Sequence, residues 1–327
     1  MDPVRMEGLA AGASPWSWAP EQPSRLERSA GLLRLEGPDA LRVLHGQTSQ
    51  AIEGAAAGAW RSSCAITATA RMRALADVLV DRGGAWLVIH GAAPEPVRAA
   101  LDRVLVPADR VELGPLLPAR LLTPLEPAGA APDPAPGPPG QWQPLDAGGD
   151  GIAWRLGPHL LLAEGAEPPA WMAARPPLAA GAAELWRLRR GDPAAPGELN
   201  NDTNPFELGL ADRVSLAKGC YVGQETLAKL ATYDGVRRQL RRWISAGPLP
   251  VAPAAGDRLQ DGSGERAGEI TSALALDDGR WAGLALVRRQ ALGAAELRLA
   301  DAAGVALAMS LPEAFVAPPV GAGRPSS

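Results

Sequence analysis

The chain has 327 residues, 46% hydrophobic, and a formal net charge of −4, enough length for two or three domains of ordinary globular composition. No apolar run reaches the length of a membrane span, and the acidic balance argues against nucleic acid as a direct partner. Two cysteines, Cys64 and Cys220, and three scattered histidines, His45, His90 and His159, exclude a disulfide framework and a thiolate metal centre built by one chain, so no resident metal is expected.

The first residues lack a charged-then-apolar signal pattern, so 1–29 is read as a flexible tail and the protein as cytoplasmic. "GLLRLEGPDALRVLHGQTSQ" (31–50) predicts a strand, a Gly-Pro turn and a helix with Pro38 at its first position. "SCAITATARMRALADVLVDRGGAWLVIH" reads as three short strands, with Gly83-Gly84 as a hairpin turn. "PEPVRAALDRVLV" (94–106) has helical spacing at Val97, Leu101 and Val104. This order predicts an α+β region with a mixed sheet.

Residues 124–140, "PLEPAGAAPDPAPGPPG", form a proline-rich insertion unable to continue a helix or sheet. A helix follows that ends near Arg190-Gly191, and 200–220 is rich in turn chemistry. From 236 to 316, short alternating segments separated by glycines predict a small β-barrel or sandwich. The arginines at 237, 238, 241 and 242 are read as a solvated edge strand, and 317–327 as a second flexible tail.

Composition singles out one region. The 32 basic residues include only two lysines, Lys218 and Lys229. Both tyrosines (Tyr221, Tyr233), all three asparagines (Asn200, Asn201, Asn204) and Phe206 also lie between 200 and 233. In a chain otherwise dominated by Ala, Arg, Gly and Pro, this island marks residues with specific tasks. At its centre stands "KGCYVGQE" (218–225). "QETLAKLATY" has helical character, which puts Cys220 just before a helix N-terminus, where the dipole favours an anion. Lys218 lies two residues away, and both influences favour the nucleophilic thiolate. Gly219 and Gly223 would let the chain turn sharply and leave room for a ligand. The competing reading is a buried cysteine in a glycine-bounded turn. No Gly-Lys-Ser/Thr follows, so the glycines are not a P-loop.

The motif Lys218, Gly219, Cys220, Tyr221, Gly223, Gln224, Glu225 resembles the signature of the YgfZ-type folate-binding family, relatives of the glycine-cleavage aminomethyltransferases (GcvT-like). "LHGQTSQ" (44–50), "WRLRRGDPAAPGELNNDTNPFELGL" (186–210), "GERAGEITSALAL" and "GLALVRR" are similar to further segments of that superfamily, so the likeness covers roughly 30–316. It implies a GcvT-like multidomain ring: an aminomethyltransferase-like region of two interleaved α+β subdomains (30–235) and a C-terminal β-barrel (236–316). It also implies a tetrahydrofolate or one-carbon derivative as ligand, iron–sulfur client or assembly proteins as partners, and an indirect effect on tRNA-modifying enzymes. Cys220 and Lys218 would then be the reactive pair. A pterin presents adjacent N–H donors that a carboxylate can accept as a pair. Glu198 is the candidate acceptor and Asn201 its alternate, with Asp77 and Gln47 at the pocket wall. The sequence departs from the aminomethyltransferases at Ala76, where their first loop aspartate stands, and this puts one-carbon transfer in doubt. An accessory factor and an aminomethyltransferase are thus the two functional expectations, and oligomeric state is open.

Overall fold

A computed structural model describes residues 4–10, 12–146, 151–300 and 302–320. They divide into two compact units. A sheet unit holds 19–178 and 213–226, and a barrel unit holds 1–18, 179–212 and 227–327.

The barrel unit owns the first strand, β1 (Arg5–Met6). The sheet unit then runs β2 (Ser24–Glu36), α1 (Ala40–Gln47), β3 (Trp60–Ile66), β4 (Met72–Val80), β5 (Gly84–His90), α2 (Glu95–Val104), β6 (Glu112–Leu125), β7 (Trp142–Pro144), β8 (Ile152–Leu156), β9 (His159–Ala163) and the short α3 (Ala170–Ala173). Its eight strands lie in the order β3-β4-β5-β2-β6-β9-β8-β7. Strand β4 is buried along nearly its whole length, because both faces of the sheet are covered there. Ala74, Ala76, Val78 and Val80 pack with Ala40, Val43 and Leu44 of α1 and Val97 and Leu101 of α2. The opposite side chains, led by Leu79, meet Leu32, Val88, Leu121 and Leu161, with Trp60, Trp86, Trp142 and Trp154 against them. Each fully buried leucine contributes about 1.5–3 kcal/mol. The sheet curls, since Trp60 N–H donates to Gly140 O (2.8 Å) and Trp142 N–H to Gly58 O (3.0 Å), linking the β3 edge to the β7 end.

The barrel unit contains α4 (Ala180–Arg190), most of α5 (Gln224–Thr232), β10 (Arg238–Ser245), β11 (Arg258–Gln260), β12 (Arg266–Leu276), β13 (Trp281–Arg288), β14 (Glu296–Leu299) and β15 (Ala302–Ser310). The order β12-β11-β14-β15-β10-β13 closes through a β12–β13 ladder, giving a six-stranded barrel with no free edge. Trp243, Leu259, Ile270, Val287, Leu297 and Leu307 fill it.

The α+β class and the C-terminal barrel expected from the sequence are present, and several particulars differ. All seven ladders of the eight-stranded sheet are antiparallel where a mixed sheet was expected. Hairpins such as β4–β5 and β8–β9 need no parallel crossover. Residues 1–29 are not a loose tail over their described part: β1 pairs in parallel with β12 and Met6 is 1% exposed. The barrel unit also takes 179–212 and 227–235, which divides the expected 30–235 region. Strand β10 is no edge, since it pairs with both β13 and β15. Its Arg238 is held by Asp202 (2.7 Å), Glu207 (2.9 Å) and Glu269 (3.1 Å) rather than solvated. Residues 321–327 of the expected tail lie outside the described residues. Among the described residues no helix is long and apolar enough to cross a membrane.

Candidate functional site

The motif turn belongs to the sheet unit and lies over the end of α1. Its burial alternates in a way that sorts its residues: Lys218 and Tyr221 are buried, while Gly219 and Cys220 between them are exposed. Of the two cysteines, Cys220 is exposed and Cys64, in β3, is buried. The buried-cysteine reading therefore applies to Cys64 and not to Cys220.

Lys218 points down. Its Nζ donates to the carbonyl oxygens of His45, Thr48 (2.6 Å) and Gln50 (2.8 Å). It also lies 4.2 Å from the centroid of the Tyr221 ring. The last carbonyls of a helix have no intrahelical partners and carry negative partial charge, so a cation there is favoured. Burial pulls Lys218 down to about 7, while three carbonyl acceptors and an aromatic face favour the ammonium that the geometry uses. An ammonium has three N–H donors, and all three are engaged. Lys218 thus has no N–H left to donate to Cys220.

The rest of the turn is fastened at close intervals. Val222 N–H donates to Gly46 O (2.9 Å) and Ser215 N–H to Ser49 O (2.9 Å). Gln224 Nε2 donates to Lys218 O (3.2 Å), closing the motif on itself. Gly223 has φ +79°, and a Cβ there would lie 2.8 Å from Thr67 O and 3.0 Å from Ile66 Cδ1, so the β3–β4 hairpin demands glycine. At Gly219 a Cβ would meet nothing within 4 Å, and its φ lies outside the left-handed region. Only one of the two motif glycines is therefore required by the fold. Glu225 is exposed in the first turn of α5, and Gln47 is half-buried at the end of α1. The Tyr221 hydroxyl is buried without a hydrogen bond, and burial, with Cys64 nearby, pushes its pKa up to about 12.

Asp77 also belongs to the sheet unit, but as an interior group, 5% exposed. It accepts from His90 Nε2 (3.0 Å), and Arg213 Nη1 lies 3.5 Å away while also donating to Ser63 O (3.3 Å). Burial alone would raise the Asp77 pKa. Arg213, His90 and Ser62 outweigh it and hold the carboxyl well below the usual carboxylate range. Burial keeps His90 below its ordinary value, so a neutral ring donates to Asp77. Ala76, one residue away, faces the helices in the core.

Glu198 and Asn201 belong to the barrel unit. Glu198 is 0% exposed. Its Oε2 accepts from Arg187 Nη1 (2.9 Å) and Ala194 N–H (3.1 Å), and its Oε1 accepts from Ser272 Oγ (2.7 Å). Arg187 in turn forks onto Glu184 at 2.7 and 2.8 Å. This carboxylate does not fit the part of a paired acceptor for a pterin, because both oxygens already serve interior donors. Asn201 is exposed with φ +62°, a turn residue in a conformation asparagine tolerates. The sequence pointed to none of His45, Thr48, Gln50, His90 or Arg213 as partners of the motif or of Asp77. His45 carried a signal in its place at the end of "LRVLH": its Nδ1 accepts from Ile52 N–H (3.3 Å) and Glu53 N–H (3.0 Å) and braces the loop that Lys218 grips. Among the described residues no group of three His, Cys, Asp or Glu is placed to hold a metal ion.

Comparison with known proteins agrees with the resemblance. No family model matches the chain. A chloroplast protein of Arabidopsis thaliana, given only a provisional name as a transferase, is 27% identical over 285 residues, covering 80% of this chain and 64% of its own length. The tRNA-modifying protein YgfZ of Aliivibrio fischeri is 32% identical over 108 residues, covering 32% of this chain and 33% of that protein. The chain thus spans less than two thirds of these relatives. Among solved structures, the glycine cleavage system aminomethyltransferase T of Bartonella henselae matches with a TM-score of 0.69 over 91% of this chain and 88% of that one, at 18% identity. That likeness establishes a GcvT-like fold, and the named relatives bear out the YgfZ-type resemblance read from 218–225.

Proposed function

We propose that this chain is a tetrahydrofolate-binding accessory protein for iron–sulfur cluster assembly or repair, with Cys220 as its working thiol. The observation that carries the reading is the motif turn, which buries Lys218 and Tyr221 and leaves Cys220 exposed above them. A thiolate acts as nucleophile or metal ligand only where a partner can reach it, and this turn supplies reach. Support for folate comes from the GcvT-like fold and the YgfZ-type relatives. Any effect on tRNA is then indirect, through iron–sulfur enzymes, which suits an acidic chain.

The fold itself favours a second reading, an aminomethyltransferase delivering a one-carbon unit to tetrahydrofolate. Ala76 counts against it, because an alanine facing the helical core offers no acid to the reaction. A tetrahydrofolate titration followed by thermal unfolding tests the ligand. Binding to the native state raises the melting temperature by mass action. A rise is expected in the wild type and equally in Cys220→Ser. No rise at millimolar tetrahydrofolate would remove folate from the proposal, and methylene-tetrahydrofolate formed from an aminomethylated lipoyl carrier would establish the second reading instead.

A further inference from the structure

We propose that Lys218 is a positioning residue: its ammonium ties the end of α1 to the motif turn and so holds Gly219 and Cys220 at the exposed tip, instead of lending its charge to the thiol. The proposal uses the reading of Cys220 as the working group only for its consequence at the thiol. The placement of Lys218 stands on its own contacts.

Three acceptors converge on Nζ from His45, Thr48 and Gln50, a stretch of six residues at the end of α1. Thr48 N–H and Thr48 Oγ1 both bond Leu44 O (3.0 and 2.7 Å), which closes the helix end and leaves the carbonyls of His45, Thr48 and Gln50 to the lysine. Tyr221 covers the ammonium from the other side. Val222 and Gly223 fix the far end of the turn to α1 and to the β3–β4 hairpin. Both ends of the turn are fastened, and at the tip a Cβ on Gly219 would touch nothing.

This geometry also explains why the position is lysine in a chain whose other basic residues, Lys229 apart, are all arginine. A guanidinium offers donors in a flat fork suited to carboxylates. A tetrahedral ammonium can direct three donors at three carbonyls that converge from different directions. Arginine keeps the charge and loses the fit.

Because the chain contains only two lysines, a sample labelled with 15N-lysine gives two Nζ signals, assigned by Lys229→Arg. The Lys218 ammonium protons are expected to be protected from solvent exchange at neutral pH relative to free lysine. Exchange at Lys218 as fast as in free lysine would overturn the proposal, and this wild-type measurement decides it even where a variant fails to fold. The second arm is the pH profile of Cys220 alkylation by iodoacetamide in wild type, Lys218→Met and Lys218→Arg. Positioning predicts an unchanged midpoint in both variants, with amide exchange at Gly219–Val222 faster by about tenfold or more and exchange in β8 and β9, in the same unit, unaltered. A lysine that merely stabilised the fold would speed exchange in the whole sheet unit. A midpoint raised by about one pH unit in Lys218→Met and restored in Lys218→Arg would make Lys218 an electrostatic activator and refute the proposal. Failure of the functional reading shows elsewhere, as activity retained by Cys220→Ser.

Discussion

Two charged residues expected at the site, Lys218 and Glu198, are both interior, and they differ in what they leave outside. Lys218 is 8% exposed and spends its charge on backbone carbonyls, and two residues on from it the chain emerges with a bare thiol. Glu198 is 0% exposed and spends its charge on Arg187, Ser272 and a backbone N–H. Of these two interior charges, Lys218 is the one followed within two residues by an accessible thiol. The lesson is to ask of a motif which of its residues the interior uses up. Function belongs to the remainder.

The largest effect is expected at Glu198. Glu198→Ala leaves Arg187 facing a vacated partner and is expected to cost about 3–5 kcal/mol, read by denaturant unfolding. The increment in melting temperature from tetrahydrofolate should survive in whatever protein folds. A folded Glu198→Ala that loses only the increment would make this carboxylate a ligand contact after all. Lys218→Met orphans three carbonyls of the α1 end and is expected to cost about 1–3 kcal/mol, felt as local opening of the motif turn and not as global unfolding. The two motif glycines then separate fold from access. Gly223→Ala forces a Cβ against Thr67 O in a left-handed conformation and should destabilise by about 1–3 kcal/mol. Gly219→Ala should leave stability unchanged or raise it by about 0.4–1 kcal/mol. Equal losses at both would mean that the tip is packed and not open.

Asp77 gives the acid dependence. Its folded-state pKa is depressed, so its contribution is fully present above the ordinary carboxylate value and is lost as pH falls below about 4. Asp77→Asn is expected to be less stable at neutral pH and to show a flatter acid limb in unfolding free energy. An unchanged limb would mean that Arg213 and His90 do not hold the ionised form.

Much of this was legible in local sequence. The turn, the helix after it and the barrel rest on glycine placement and on the period of apolar residues, which neighbours along the chain decide. The compositional island located the motif, because Lys218 does something that arginine cannot. The misreadings share one cause, partners distant in sequence. Glu198 looked like an open acceptor for a pterin because Ser272, which donates to one of its oxygens, lies 74 positions away. Arg238 looked solvated because Glu207 and Glu269 each lie 31 positions away. The opening residues looked loose because β12, which receives β1, comes some 270 positions later. Lys218 was placed beside Cys220 by adjacency, yet its contacts are about 170 positions upstream.

In the function proposed above, the fold presents Cys220 for work and does not use it for stability. Its most direct test is complementation of a bacterial strain lacking its own YgfZ protein, with wild type and Cys220→Ser compared alongside their melting temperatures. Equal melting temperatures, equal stabilisation by tetrahydrofolate and loss of complementation are expected in Cys220→Ser. Full complementation by Cys220→Ser would contradict it.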